Sequence, residues 1–332
     1  MLSRFKQETK YLAVFECHEE FGWSISQMCL LLGIARSSYY KWMKHEESEH
    51  ELENKDLIEL IEKYHLKYKG ILGYRRMTMW INTYDDYHVN PKLIKRLMNV
   101  MGLKAVIRSK RSTYRYSTPE VLSKNKLSRN FNADKPNQKW VTDVTEFKIK
   151  SSTQKLYLSA IVDLYDLSVV SYQISTKNDN ILVLDTFKAA FNKYPGVSPL
   201  VHSDRGFQYT SHIFKKLLVY QGCTQSMSRV GCCIDNGPIE NFWGQIKTEE
   251  YYLNDYRTED ELIQGINKYI TFYNNELLQK RFNNQAPSQV RKKGLDNKSP
   301  QRYPVPINRS IEKYWESIKS KQHNKSELTN YI

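Results

Sequence analysis

Three carboxylates stand in contexts ordered enough to suggest chemistry. Asp143 lies in Trp140-Val141-Thr142-Asp143, Asp204 in Val201-His202-Ser203-Asp204-Arg205-Gly206, and Glu240 in Asp235-Asn236-Gly237-Pro238-Ile239-Glu240. Phosphoryl transfer needs an attacking and a leaving oxygen held in line, and two Mg²⁺ ions about 3.5–4 Å apart can serve both. Mg²⁺ takes oxygen ligands, few of them carboxylates, with water and substrate phosphate completing the shell. Three carboxylates therefore suffice if one bridges both ions. Thirty-five residues separate Asp204 from Glu240. Lys247 follows Glu240 by two helical turns on the same face, where a cation could hold a phosphate. Singly, each acid is weak evidence, because the chain has 36 and most acids are surface charges or caps. Asp235 could cap a helix, and Asp163, Asp166 and Glu146 are rivals by position.

The elements that must carry these groups follow from periodicity. Residues 139–149, 156–162 and 168–174 alternate and are rich in β-formers, and their short connections imply an antiparallel meander. An amphipathic helix over 181–191 follows, then a short apolar strand over 199–203 that ends at Asp204. Helix 211–221, strand 224–228 and a helix from Pro238 complete the pattern. Asp143 thus sits within a strand, Asp204 just past one, and Glu240 at a helix start. Three antiparallel strands followed by alternating helix and strand is the order of an RNase H-like α/β domain, with a mixed five-stranded sheet.

The N-terminal third reads as all-α. Leu12, Val14, Phe15 and Phe21 have helical spacing, and Ser24 or Ser26 could N-cap a helix through Leu32. Gly33 breaks it, and a second helix opens with Arg36, Ser37 and Tyr39. This is a helix-turn-helix pattern in which those three side chains could reach DNA; the plainer reading is a helical hairpin. Residues 44–56 form a charged linker or solvated helix start, and helices follow over 57–69, from Gly73, and from Asn90-Pro91, where Asn90 caps and Pro91 takes the first helical position. Between 101 and 130 eight cations, among them Arg108, Lys110 and Arg111, oppose the single acid Glu120. Such a segment can lie along a DNA backbone or serve as a solvated linker. The boundaries expected are a helix-turn-helix module over 1–50, a second helical module over 51–105, a basic linker over 106–134, the α/β core over 135–295 and a helical C-terminal extension or tail over 296–332.

Composition agrees with a polyanionic partner. The 332 residues carry 50 Lys plus Arg against 36 Asp plus Glu, a formal charge of +14, which favours nucleic acid. The five cysteines include no CxxC pair, which argues against a disulfide framework and a zinc knuckle. No apolar stretch has the form of a signal peptide or the length of a membrane span. A cytoplasmic, nucleoid-associated protein is expected.

Taken together, Trp140-Val141-Thr142-Asp143-Val144-Thr145, Leu156-Tyr157-Leu158-Ser159, His202 to Tyr209, Ser226-Met227-Ser228 and Asp235 to Glu240 resemble the D-D-(35)-E core of bacterial insertion-sequence transposases. The chain is similar to the OrfB product of the IS-three family, IS-one-fifty group, relatives of retroviral integrases. Gly73-Tyr74-Arg75-Arg76 and Arg96-Leu97-Met98 match the helical module that precedes the core in that family.

The resemblance implies that Asp143, Asp204 and Glu240 bind two Mg²⁺ ions, for which Mn²⁺ can substitute, with Asp143 as the bridge. It makes Lys247 the basic residue that follows the family's glutamate, and it adds Arg75 and Arg76 to the DNA-contact candidates. It implies nicking and strand transfer on double-stranded transposon ends and target DNA by a homo-oligomer, with an upstream-frame OrfA product as partner or fusion. One motif departs: the family's Tyr-Asn-x-x-Arg is here Tyr273-Asn274-Asn275-Glu276-Leu277, for which Lys280 or Arg281 could substitute. Two other functions remain open, an RNase H-like endonuclease without strand transfer and a catalytically inactive DNA-binding regulator.

Overall fold

A computed structural model describes residues 2–46, 48–106, 123–149, 154–229 and 233–305. The chain divides into two compact units, Met1–Tyr64 and His65–Ile332.

In the first unit α1 (Leu2–Phe21), α2 (Ile25–Leu31) and α3 (Arg36–Met43) are followed by most of α4 (Glu49–Lys67). The charged residues from Glu49 onward are good helix formers, so α4 starts there as a solvated turn and not at the first apolar residue. Gly33, at φ +62°, makes the sharp turn between α2 and α3. The core gathers Tyr11 and Val14 of α1 with Met28, Cys29, Ile34 and Tyr39. Tyr11 and Tyr39 both stack near Trp42, at 5.7 and 6.1 Å between ring centroids. This is a small helical unit whose core combines aliphatic and aromatic burial.

The second unit begins with α5 (Tyr74–Tyr84) and α6 (Pro91–Val100). Asn90 caps α6, its side chain accepting from Lys92 N at 2.9 Å. Asn82 closes the α5–α6 loop by bonding both the N–H and the carbonyl of Val89. Tyr68 and Trp80 pack on Phe272 of α11 (Glu259–Asn275), and Tyr68 OH donates to Glu276 at 3.0 Å.

The sheet has the order β3-β2-β1-β4-β5. β1 (Lys139–Lys148), β2 (Lys155–Asp163) and β3 (Val169–Ser175) form an antiparallel meander. β4 (Leu200–Ser203) and β5 (Thr224–Met227) run parallel to β1. Period-2 alternation gives β1 two faces. Trp140 and Val144 join the core formed with α7 (Asn180–Lys193) and α9 (His212–Tyr220), through Val183, Phe187, Phe214 and Leu218. Between β4 and α9 lies the short α8 (Phe207–Thr210). The other face of β1 meets α10 (Gly237–Glu249), whose Phe242 packs edge-on against Tyr273 of α11. The edge strand β3 is closed at one point by Asn274, whose amide bonds both the N–H and the carbonyl of Val169.

α12 (Pro287–Asp296) pins the open end of the meander. Its Arg291 donates to Asp163 and Asp166, both at 3.0 Å, and stacks on Tyr194 at 4.3 Å. All three charged groups are buried. Burial pushes Asp166 up to about 7, as does the Asp163 charge, against the pull of Arg291. Gly294 of the same helix is required by packing: a Cβ there would lie 2.7 Å from Pro136 Cγ and Tyr165 Cε1.

Candidate active site

The parallel ladder of β1 and β4 ends at Thr142–Ser203. The next residue on each strand is a carboxylate, Asp143 on β1 and Asp204 just past β4. Neighbouring strands lie about 4.8 Å apart, so the two acids emerge side by side at the end of that ladder. Glu240 comes from the first turn of α10, where the helix dipole favours an anion.

Electrostatics ties the three together. Asp143 is pushed up to about 7, first by burial, then by the charge of Asp204 and, more weakly, by that of Glu240. Two hydrogen bonds work against this, from Trp243 Nε1 to Oδ2 at 3.0 Å and from Val144 N to Oδ1 at 2.8 Å. Burial also raises Asp204, partly offset by the Gly206 N–H that donates to its Oδ1 at 2.9 Å. Tyr209, buried behind the pair, is raised well above the ordinary phenol range by burial and by both aspartates.

Among the described residues no group of three or more His, Cys, Asp or Glu forms a ready-made metal cage. The donors are nonetheless all hard carboxylate oxygens whose mutual repulsion a divalent cation would relieve. Such a set suits an ion that draws its remaining ligands from water and phosphate.

The rival acids lie elsewhere. Asp163 and Asp166 are held by Arg291. Glu146 pairs with Lys155 at 3.0 Å on the exposed part of β1. Asp235 does not cap α10. It sits in a 3-10 turn, Cys233–Asn236, and accepts from Arg229, Arg129 and Asn125. Burial alone would raise its carboxyl, but these donors hold it well below the usual carboxylate range. Asn236 next to it donates to Thr142 O at 3.2 Å, tying the start of α10 to the strand position before Asp143. His202, two residues before Asp204, bonds Ser226 and Ser228 through its two ring nitrogens. Burial lowers it to about 4, so it is neutral at physiological pH and serves as packing.

The other candidates separate by exposure. Arg36 and Ser37 are exposed at the start of α3. Tyr39 is not available to DNA: it is fully buried, because it faces the apolar side of α3. Arg75 is exposed beside Tyr74, whose hydroxyl accepts from its Nε at 3.1 Å. Arg76 turns inward and pairs with Glu249 of α10 at 2.9 Å. Lys247 places Nζ 2.6 Å from Thr145 Oγ1 and over the Phe147 ring. Arg108, Lys110 and Arg111 lie outside the described residues. Leu277 is buried at the end of α11, and Arg281 donates to Tyr303 O, so it is not a surface substitute for the missing arginine. Trp243 was not singled out by motif, although its place one turn after Glu240 and one turn before Lys247 marks the same face of α10.

The fold is that of an integrase-type core, and comparison with known proteins agrees. Residues 133–233 and 240–295 match Integrase core domain families, and residues 51–111 match an HTH-like domain. The chain is 37% identical over 239 residues to the putative transposase InsK of insertion element IS150 from Escherichia coli K12, covering 71% of this chain and 83% of that one. It is 30% identical over 245 residues to the transposase InsF of IS3A from the same organism, covering 72% and 83%. The HTLV-2 integrase catalytic core, solved in complex with magnesium, is 24% identical and covers 47% of this chain and 97% of its own, with a TM-score of 0.38. The chain belongs to the IS3 family of insertion-sequence transposases.

Proposed function

We propose that this transposase cuts and joins DNA at a site formed by Asp143, Asp204 and Glu240, whose carboxylates would hold two Mg²⁺ ions. The observation that carries the reading is the pairing of Asp143 and Asp204 past one ladder rung, with the charges of Asp204 and Glu240 both acting on the Asp143 carboxyl. When bound, the ions supply positive charge to the attacking and leaving oxygens.

The chain's own residues hold the reacting groups. Asp143 is fixed within a strand, the Gly206 N–H sets the rotamer of Asp204, and Asn236 anchors the helix that carries Glu240. In the first reaction a water oxygen forms a bond to phosphorus, and the 3′-oxygen leaves with the bonding electrons and takes up a proton. In the second, that 3′-hydroxyl attacks a target phosphodiester in the same way. No covalent link to the protein is needed. Lys247, two turns past Glu240, is assigned to the DNA backbone, exchanging its Thr145 contact for a phosphate oxygen.

An HTH-like module and a net charge of +14 fit DNA binding. Arg36 and Ser37 on the first unit and Arg75 on the second offer exposed contacts, and Arg108, Lys110 and Arg111 add positive charge to the sequence. Two ends must be handled together, so the active form is a homo-oligomer on DNA, with an OrfA product as partner or fusion. No described helix is long and apolar enough to cross a membrane.

A test separates joining from cutting alone. Duplex ends already carrying a free 3′-hydroxyl are supplied with plasmid target and Mg²⁺. Covalent end–plasmid products support the transposase reading. Plasmid nicking without joined products would replace it with an endonuclease.

A further inference from the structure

Trp243 lies one helical turn beyond Glu240 on α10, and its residue surface is only 6% exposed. A buried indole N–H needs an acceptor. Here the acceptor is a carboxylate, Asp143 Oδ2, at 3.0 Å. The second carboxylate oxygen accepts from Val144 N at 2.8 Å. Asp143 is therefore held from two sides, by its own strand and by the helix that carries Glu240.

The spacing shows why this bond fits. Trp243 and Lys247 are four residues apart on α10, about 6 Å of helix. Their partners Asp143 and Thr145 are two residues apart on one face of β1, between 6 and 7 Å by the rough rise per strand residue. Trp243 meets Asp143 while Lys247 meets Thr145, so helix and strand run in step. The indole is itself held in place. It packs 5.2 Å from the Phe242 ring, which lies 4.8 Å from Tyr273 of α11. Each end of the bond is thus anchored in a different layer of the domain.

We propose that Trp243 is a positioning residue for the metal site: its N–H orients the Asp143 carboxylate and sets the separation of Asp143 on β1 from Glu240 on α10. This rests on the reading of Asp143 and Glu240 as metal ligands. Partners that orient a ligand from behind tune affinity by about 10–100-fold.

The test is Mn²⁺ binding to the full chain without DNA, read as free Mn²⁺ by electron paramagnetic resonance. Trp243→Phe keeps an aromatic ring and removes the N–H. Trp243→Gln keeps an N–H at similar reach and removes the ring. Asp143→Asn is run beside them, and unfolding midpoints without metal check that each variant folds. Trp243→Phe is expected to weaken Mn²⁺ binding by about tenfold or more, and Trp243→Gln to bind more tightly than Trp243→Phe. Wild-type affinity in Trp243→Phe, with binding lost in Asp143→Asn, would overturn the positioning role and leave the ligand reading standing. So would Trp243→Gln binding no better than Trp243→Phe, because ring packing would then be what matters. Wild-type affinity in Asp143→Asn would remove both.

Discussion

Asp143 and Asp204 each stand one residue past the last paired rung, Thr142–Ser203, of two parallel strands. In-register pairing puts the two like charges next to each other before any ligand arrives. Burial raises both carboxyls, and the charge of Asp204 adds to the rise at Asp143. A carboxyl whose folded pKa exceeds its unfolded value favours the protonated fold. The cost of ionising it is absent below the unfolded value near pH 4, grows as pH rises, and is complete above the folded value of about 7 for Asp143.

Asp204→Asn removes one of the two charges and is predicted to stabilise the metal-free chain at pH 8, by about 1 kcal/mol or about 2–4 °C in melting temperature. Melting curves of variant and wild type at pH 8 should differ by that amount and converge toward pH 4. Equal midpoints at pH 8, or a gap that does not change with pH, would contradict the crowding of these carboxylates.

Arg291 should be the least replaceable cation in the core. Its guanidinium lies between the buried Asp163 and Asp166, and removing one partner of a buried ion pair costs about 3–5 kcal/mol. Arg291→Ala is expected to lower stability at pH 8 by that order in urea unfolding. Asp166→Asn in the same background should recover part of the loss, because one uncompensated charge is then gone. No recovery would show that Arg291 acts through its contacts with Tyr194, Asn137 and Ser168 instead.

On the N-terminal unit, exposure predicts opposite outcomes for two neighbours on α3. Arg36→Ala is expected to weaken binding to duplex DNA and to reduce the slope of log affinity against log salt by about 1. Tyr39→Phe should leave DNA affinity unchanged, because Tyr39 is fully buried and its hydroxyl has no hydrogen-bond partner among the described residues. The same fluorescence-anisotropy titration over a salt series reads both. Loss of affinity in Tyr39→Phe at unaltered stability would contradict the burial argument.

What was legible in the sequence was what is local. Alternation marked β1, the short apolar run of β4 ended at Asp204, and the helix from Pro238 placed Glu240 in its first turn. Asn90-Pro91 announced α6 for the same reason. Contacts between distant segments were not legible. Nothing near Arg76 names Glu249 as its partner, and nothing near Asp235 points to Arg129. Asp163 and Asp166 looked like site acids until Arg291, from a helix more than a hundred residues away, was seen to hold them. Tyr39 departs from its expected exposure for a different reason: a tyrosine at a helix start suits a core or a surface equally, and only packing against Tyr11 and Trp42 decides.

The proposed site depends on Glu240 acting together with Asp143 and Asp204. The direct measurement is strand transfer of transposon ends into plasmid DNA with Mg²⁺, comparing wild type with Glu240→Gln, a change that keeps side-chain size and removes the charge. Glu240→Gln is expected to bind the ends as wild type does but to yield joined product at least about a hundredfold more slowly, some 2.7 kcal/mol in the barrier. Equal rates of strand transfer by the two proteins would contradict it.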